Sequence, residues 1–220
     1  MQSAHRFYAK NFTLKALVGA AYNLTPKAIS GGPAWADAAH FDILAGTPNE
    51  VRPNNDEQMA MLRKLLAERF QLSFHREPRQ LPVYVLSVAK GGSRLRESAA
   101  DPDVQPDIVN VLYPGRVELP ARNATMRQFA SMMQRTVLDR PVLDRTGLTG
   151  RYDFDLEYSP EDTHGMALMH ATPGGTAVPA AELGVSIVSS IQQLGLKLEA
   201  QKPAMDAIVV DHAEKTPTEN

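Results

Sequence analysis

Apolar residues recur along this chain at two periods. Leu14, Leu17, Val18 and Ala21 follow Thr13 at helical spacing, and Met126, Phe129, Ala130 and Met133 follow Thr125 in the same way. Threonine is a good N-cap, so both runs predict helices. Met59, Leu62, Leu65 and Leu66 form one stripe over Asp56–Arg69, and Val185, Val188, Ile191 and Leu194 another over Glu182–Leu194. Period-two alternation marks strands at Phe41–Ala45 and Tyr152–Tyr158, and again where Leu72 and Phe74 alternate with Ser73 and His75. Shorter strands are expected at Phe7–Ala9, Arg116–Leu119, Ala28–Ser30 and Val142–Asp144. Each half closes on a pair of strands, Gln71–Arg76 with Pro82–Ala89 and Leu196–Ala200 with Ala207–His212. Turns containing Pro78 and Pro203 are expected to join each pair locally.

These elements repeat. The two Thr-capped helices stand 112 residues apart, as 13–21 and 125–133. His40-Phe41-Asp42-Ile43 meets Arg151-Tyr152-Asp153-Phe154 at an offset of 111. Phe70, Leu72, Phe74, Leu81, Val83, Val85 and Leu86 meet Leu194, Leu196, Leu198, Met205, Ala207, Val209 and Val210 at an offset of 124. The pattern predicts an α+β protein of two similar strand-helix-strand-strand-helix-strand-strand modules, an internal duplication. The expected modules are 1–92 and 115–220. A linker or long loop covers 93–114, and a Pro/Gly-rich insertion in the second module lies near 159–181.

Composition narrows the function classes. With 43% apolar and 22% charged residues, the 220-residue chain can bury a sizeable core. A net charge of −2 argues against a dedicated nucleic-acid surface. The absence of cysteine removes disulfides, thiolate catalysis and Cys-ligated metals. No apolar run approaches the roughly 18 residues of a membrane helix.

Complete catalytic motifs are not found. There is no His-Glu-x-x-His, and the nearest histidine pair, His164 and His170, is six apart in a loop. Around Ser93 and Ser186 the second glycine of a nucleophile elbow is missing, and neither Gly31-Gly32 nor Gly91-Gly92 completes a phosphate loop. Asp153, Asp155 and Glu157 share one face of a predicted strand. That face suits an acid/base pair, or else the charged surface of an edge strand. The Asp139–Asp155 stretch, with alternating Asp and Arg, suits a loop locked by charged hydrogen bonds. No catalytic, cofactor or metal residue is assigned. The candidate interaction residues are Gly31, Gly32, Pro33 and Trp35, because a rigid turn presenting the single tryptophan suits an anchor for a peptide or sugar.

Five blocks carry a resemblance: FTLKALVGAAYNL (12–24), ISGGPAW (29–35), LLAERFQLSFHREPRQLPVYVLSVAKGG (65–92), DRPVLDRTGLTGRYDFDLEY (139–158) and LGLKLEAQKPAMDAIVVDHAEKTPTEN (194–220). Together they resemble a family of uncharacterised soil-associated bacterial proteins across nearly the whole chain. The resemblance implies a periplasmic or secreted protein. Members usually begin with a signal peptide and a further strand segment, so the chain reads as truncated at its N-terminus. Some relatives are fused behind a membrane-bound metallopeptidase sensor. Each half is also similar, at the level of its apolar pattern, to the short N-terminal domain of secretins and TonB-dependent receptors, a periplasmic interaction module.

The expected function is a non-catalytic envelope or secreted interaction module without a cofactor, whose partner is a protein, a peptide or a cell-wall fragment. A sheet edge that accepts a strand is its expected mode of binding. The alternatives are a hydrolase using the acidic strand or a Ser/His/Asp set, and the ligand-sensing domain of a membrane-bound sensor.

Overall fold

A computed structural model describes residues 6–46, 53–101, 103–160 and 185–216. Among the described residues, five α-helices and thirteen strands form an α+β architecture. The insertion expected within 159–181 falls almost entirely outside the described residues, as do His164 and His170.

Both Thr-capped runs form helices. Strand β1 (Arg6–Thr13) leads into α1 (Leu14–Tyr22), and the Thr13 hydroxyl accepts the Ala16 amide at 3.2 Å. A 3₁₀ turn at Pro26–Ala28, strand β2 (Ile29–Gly31) and a short helix α2 (Trp35–Ala38) follow. Next come β3 (His40–Gly46), α3 (Asn55–Arg69), β4 (Ser73–Gln80) and β5 (Val83–Val88). The expected linker instead holds three short strands, β6 (Arg96–Glu97), β7 (Asp107–Ile108) and β8 (Val111–Tyr113). Strand β9 (Arg116–Ala124) then enters α4 (Met126–Thr136), where Thr125 and Gln128 cap each other's amides reciprocally. The chain ends through β10 (Val142–Asp144), β11 (Tyr152–Tyr158), α5 (Ile187–Gln193), β12 (Leu196–Gln201) and β13 (Ala204–His212).

The chain divides into two compact units. The first comprises Met1–Leu81 with Pro203–Asn220, and the second Pro82–Lys202. These differ from the halves expected from the sequence because the closing strands do not pair locally. Strand β4 pairs antiparallel with β13, which also pairs parallel with β2. Strand β5 pairs antiparallel with β12 and parallel with β10.

The connectors explain this. Only Leu81-Pro82 separates β4 from β5, and only Lys202-Pro203 separates β12 from β13. A two-residue hairpin needs positive φ at its first position, which Leu81 and Lys202 do not adopt, and in type I′ at its second also, where proline holds φ near −65°. Neither connector can reverse the chain. Each strand runs on out of its own half, and Pro78 lies inside β4 rather than in a turn.

The pairing in one unit repeats that in the other. In the first unit Val209 lies opposite His75 and Ser30; in the second Val85 lies opposite Glu199 and Leu143. Strand β1 pairs antiparallel with β3, and β9 with β11, each with a register shift near its helix. Each unit has its own core. Leu14, Leu17, Val18, Leu62, Leu66, Phe70 and Ile208 are buried in the first. Met126, Phe129, Met133, Leu119, Tyr158, Ile191 and Leu196 are buried in the second.

Candidate functional site

The register shifts use the same device twice. Asn11 and Asn123 adopt the left-handed region, at φ 61° and 52°, a conformation asparagine tolerates better than most residues. The displaced amide of Asn11 donates to Asp42 Oδ1 at 2.8 Å, and that of Asn123 to Asp153 Oδ1 at 2.9 Å. The repeated aromatic-Asp-apolar motif thus has a structural role, in which its carboxylate caps a β-bulge. At Asp153 the Asn123 amide, Ser98 and Arg96 together hold the carboxyl below its ordinary value. A general acid needs the opposite shift.

The other acids of β11 are engaged in the same way. As expected from the alternation, Tyr152, Phe154, Leu156 and Tyr158 are buried and the acids lie on the other face. Arg122 Nη2 donates to Asp155 at 2.7 Å while its Nη1 donates to the Phe154 carbonyl. Arg116 donates to Glu118 at 2.9 Å and lies 3.9 Å from Glu157. Arg140 grips Asp139 with two hydrogen bonds, and Asp144 accepts both the amide and the hydroxyl of Thr146. That stretch is locked by charged hydrogen bonds. Among the described residues, no group of three or more His, Asp or Glu is placed to hold a metal ion.

The candidate interaction turn lies at the surface of the first unit, with Gly31 and Gly32 exposed and Pro33 and Trp35 half-buried. Gly31 and Gly32 have φ of 72° and 76°, and a Cβ on Gly31 would lie 2.6 Å from the Val210 carbonyl oxygen. The pair therefore lets β13 approach β2 closely. Pro33 accepts the Ala36 amide to start α2. Trp35 is half-buried, with its ring edge-to-face on Phe41 at 6.0 Å, and Phe41 is the cross-strand partner of Phe12.

The largest difference between the units lies in one sheet. In the second unit, β6 pairs with the outer edge of β11, and β7 and β8 pair with the outer edge of β9, giving five strands. The matching sheet of the first unit is β1–β3 alone, and among the described residues no strand covers its outer edges. On its outward face, which also carries His40 and Asp42, an apolar pair stands where the other sheet is ion-paired. Tyr8 and Leu44 are cross-strand partners, 52% and 67% exposed. Their counterparts by register are Pro120 and Asp155. Phe12 is exposed at one end of this sheet. At the other end, Phe7, Ala45 and Gly46 line a cavity with Met61, Leu62 and Leu65 of α3. Its volume of about 40 Å³ is far below the roughly 300–1,000 Å³ of small-molecule sites.

A further polar cluster joins β4 to β13. His75 Nδ1 lies 2.7 Å from Asp211 and its Nε2 3.3 Å from Glu77, and these acids, Asp211 first, raise its pKa.

Residues 15–213 match the profile of a protein family of unknown function, DUF3738. The chain belongs to this family. No curated protein and no solved structure matches it. No helix among the family member's described residues is long and apolar enough to cross a membrane.

Sequence reasoning located the acids, the Thr caps and the glycine turn. It missed the open sheet. The signal available was Tyr8 and Leu44 at polar phases of their strands, set against Pro120 and Asp155 at the matching positions.

Proposed function

We propose that this chain is a non-catalytic interaction module that receives an extended segment of a partner protein or peptide on its two-stranded β1–β3 sheet. One observation carries the reading. The same sheet in the second unit is completed by the chain's own extended segments, β6 on one edge and β7 with β8 on the other. An uncovered strand edge offers a row of unpaired amides and carbonyls that an added strand satisfies. Tyr8 and Leu44 supply apolar area beside that edge, and the partly exposed ring of Trp35, at the Phe12–Phe41 end, adds a second contact. An envelope or secreted setting, implied by the family resemblance, belongs to the same reading.

Panning a displayed peptide library against the whole chain tests it. Selected peptides should shift the amide resonances of β1 and β3 and bind Leu44→Asp at least about tenfold more weakly. Burying a leucine is worth roughly 1.5–3 kcal/mol, and 1.4 kcal/mol is a tenfold change. Peptides that bind the variant equally, or that map to β4 or β12, would refute it.

A further inference from the structure

The two three-stranded sheets share a construction that the two-stranded sheet does not explain. Strand β13 is the central strand of the first unit's sheet, between β2 and β4, although it begins 124 positions after β4 ends at Gln80 and further still from β2. Strand β5 is likewise central between β10 and β12. The outer strands of each sheet do not pair with each other, so without its inserted strand neither sheet exists. The inserted strands also fill the cores. Ala207, Ile208 and Val210 are at most 3% exposed in the first unit, and Val83 and Leu86 at most 1% in the second.

The registers of the two sheets correspond. His75 meets Val209 and Glu199 meets Val85; Phe74 meets Val210 and Leu198 meets Leu86; Ile29 meets Ile208 and Val142 meets Tyr84. The pairs of 74–77 with 207–210 map at a shift of 124 onto those of 198–201 with 83–86, and all three β2–β13 pairs map onto the β10–β5 pairs at shifts of 113 and 124. The register shift between Val210 and His212 has no counterpart in the second sheet. Two like modules that each donate a closing strand to the other have the geometry of a strand-exchanged dimer, held here in one polypeptide.

We infer that each half of this chain carries a strand-acceptor slot, between β2 and β4 in one and between β10 and β12 in the other, whose fitting partner is the closing strand of a like module. The halves accordingly hold together through these slots and not through the segment that joins them in sequence. This inference stands apart from the peptide-binding reading, since it concerns inner slots that β5 and β13 already occupy.

The test uses the full chain. A protease recognition site is inserted between the exposed Ala99 and Ala100, the protein is folded, and the segment is then cut. The slots predict that both fragments stay in one particle with the mass of the intact chain, resist dilution, and part only at the urea concentration that unfolds it. Fragments that separate natively into folded pieces would overturn the inference.

A second arm removes dependence on the cut protein's solubility. The chain has no cysteine, so Arg79→Cys with Met205→Cys, directly opposed on β4 and β13, forms the only possible pair. Oxidation should give an intramolecular crosslink in the uncut monomer, seen as a mobility shift lost on reduction. Failure to crosslink would overturn the inference, whereas a crosslink between chains would show the slot of one copy filled by the closing strand of another and would support it.

Discussion

Replacing Gly31 by alanine measures how closely β13 approaches β2. Two costs add. Gly31 has φ +72°, where an L-residue is strained by roughly 1–2 kcal/mol. Its new Cβ would also stand 2.6 Å from the Val210 carbonyl oxygen and 3.0 Å from Val209 Cγ1, backbone and β-branched groups that cannot swing aside. Overpacking of that kind costs about 1–3 kcal/mol, so the total is about 2–5 kcal/mol. Gly115→Ala isolates the first cost: φ is +78°, but nothing lies within 4 Å of the added Cβ. Any entropy lost from the unfolded chain is common to both variants and drops out of the difference. Urea unfolding followed by circular dichroism suits the comparison, because Gly31 and Gly115 lie in different units and the signal must report both. Gly31→Ala should be less stable than Gly115→Ala by about 1–3 kcal/mol. Equal losses would refute the close contact of an inserted β13 with the glycine turn.

Other outcomes follow from single contacts. Phe129 is fully buried with its ring edge-to-face on Phe154 at 5.0 Å, and Phe129→Ala should cost about 3–5 kcal/mol by circular dichroism in denaturant. Thr125→Ala removes half of a capping box and should cost about 1 kcal/mol in the same assay. Asp153 has a folded pKa below its unfolded one, so its contribution is present above the unfolded value and lost as pH falls through the folded value. Asp153→Asn should therefore lower stability at pH 7 and flatten the acid limb below about pH 4. His75 has the opposite sign: its folded pKa is raised, so its contribution is full below about pH 6.5 and lost as pH rises through the folded value. His75→Gln should remove that alkaline decline, read as melting temperature against pH.

What was legible in the sequence was local. The Thr caps, the stripe of α3 and the alternation of Tyr152–Tyr158 each draw on neighbours within a few residues, and each formed close to where it was expected. The stripe expected over Glu182–Leu194 did not: α5 spans only Ile187–Gln193 and buries Ile187, Ser190 and Ile191, with Val185 and Val188 exposed. The exchange of β5 and β13 was not legible as pairing, because strand pattern says which face is buried and not which strand lies alongside. The two x-Pro connectors held the clue, since neither admits a tight hairpin. Strands β6, β7 and β8 are two or three residues long and form only because β11 and β9 offer edges, so 93–114 reads as a linker by itself. Asp42 and Asp153 stood out as a repeated motif, but their capping role depends on the left-handed Asn11 and Asn123, whose amides lie 31 and 30 residues away. The open sheet was the least visible feature. It is defined by strands that the second unit has and that are not found among the described residues of the first.

Amide hydrogen exchange on the whole free chain addresses that contrast directly. Among the described residues no strand pairs with the outer edge of β1, toward which alternate amides point, whereas those of β9 face β7 and β8. Fast exchange is expected at every second amide of β1 and protection at the corresponding amides of β9, with the β1 set becoming protected when a selected peptide is bound. Uniform protection along β1 in the free chain would mean the edge is already covered, and the peptide-binding reading of the β1–β3 sheet would fail.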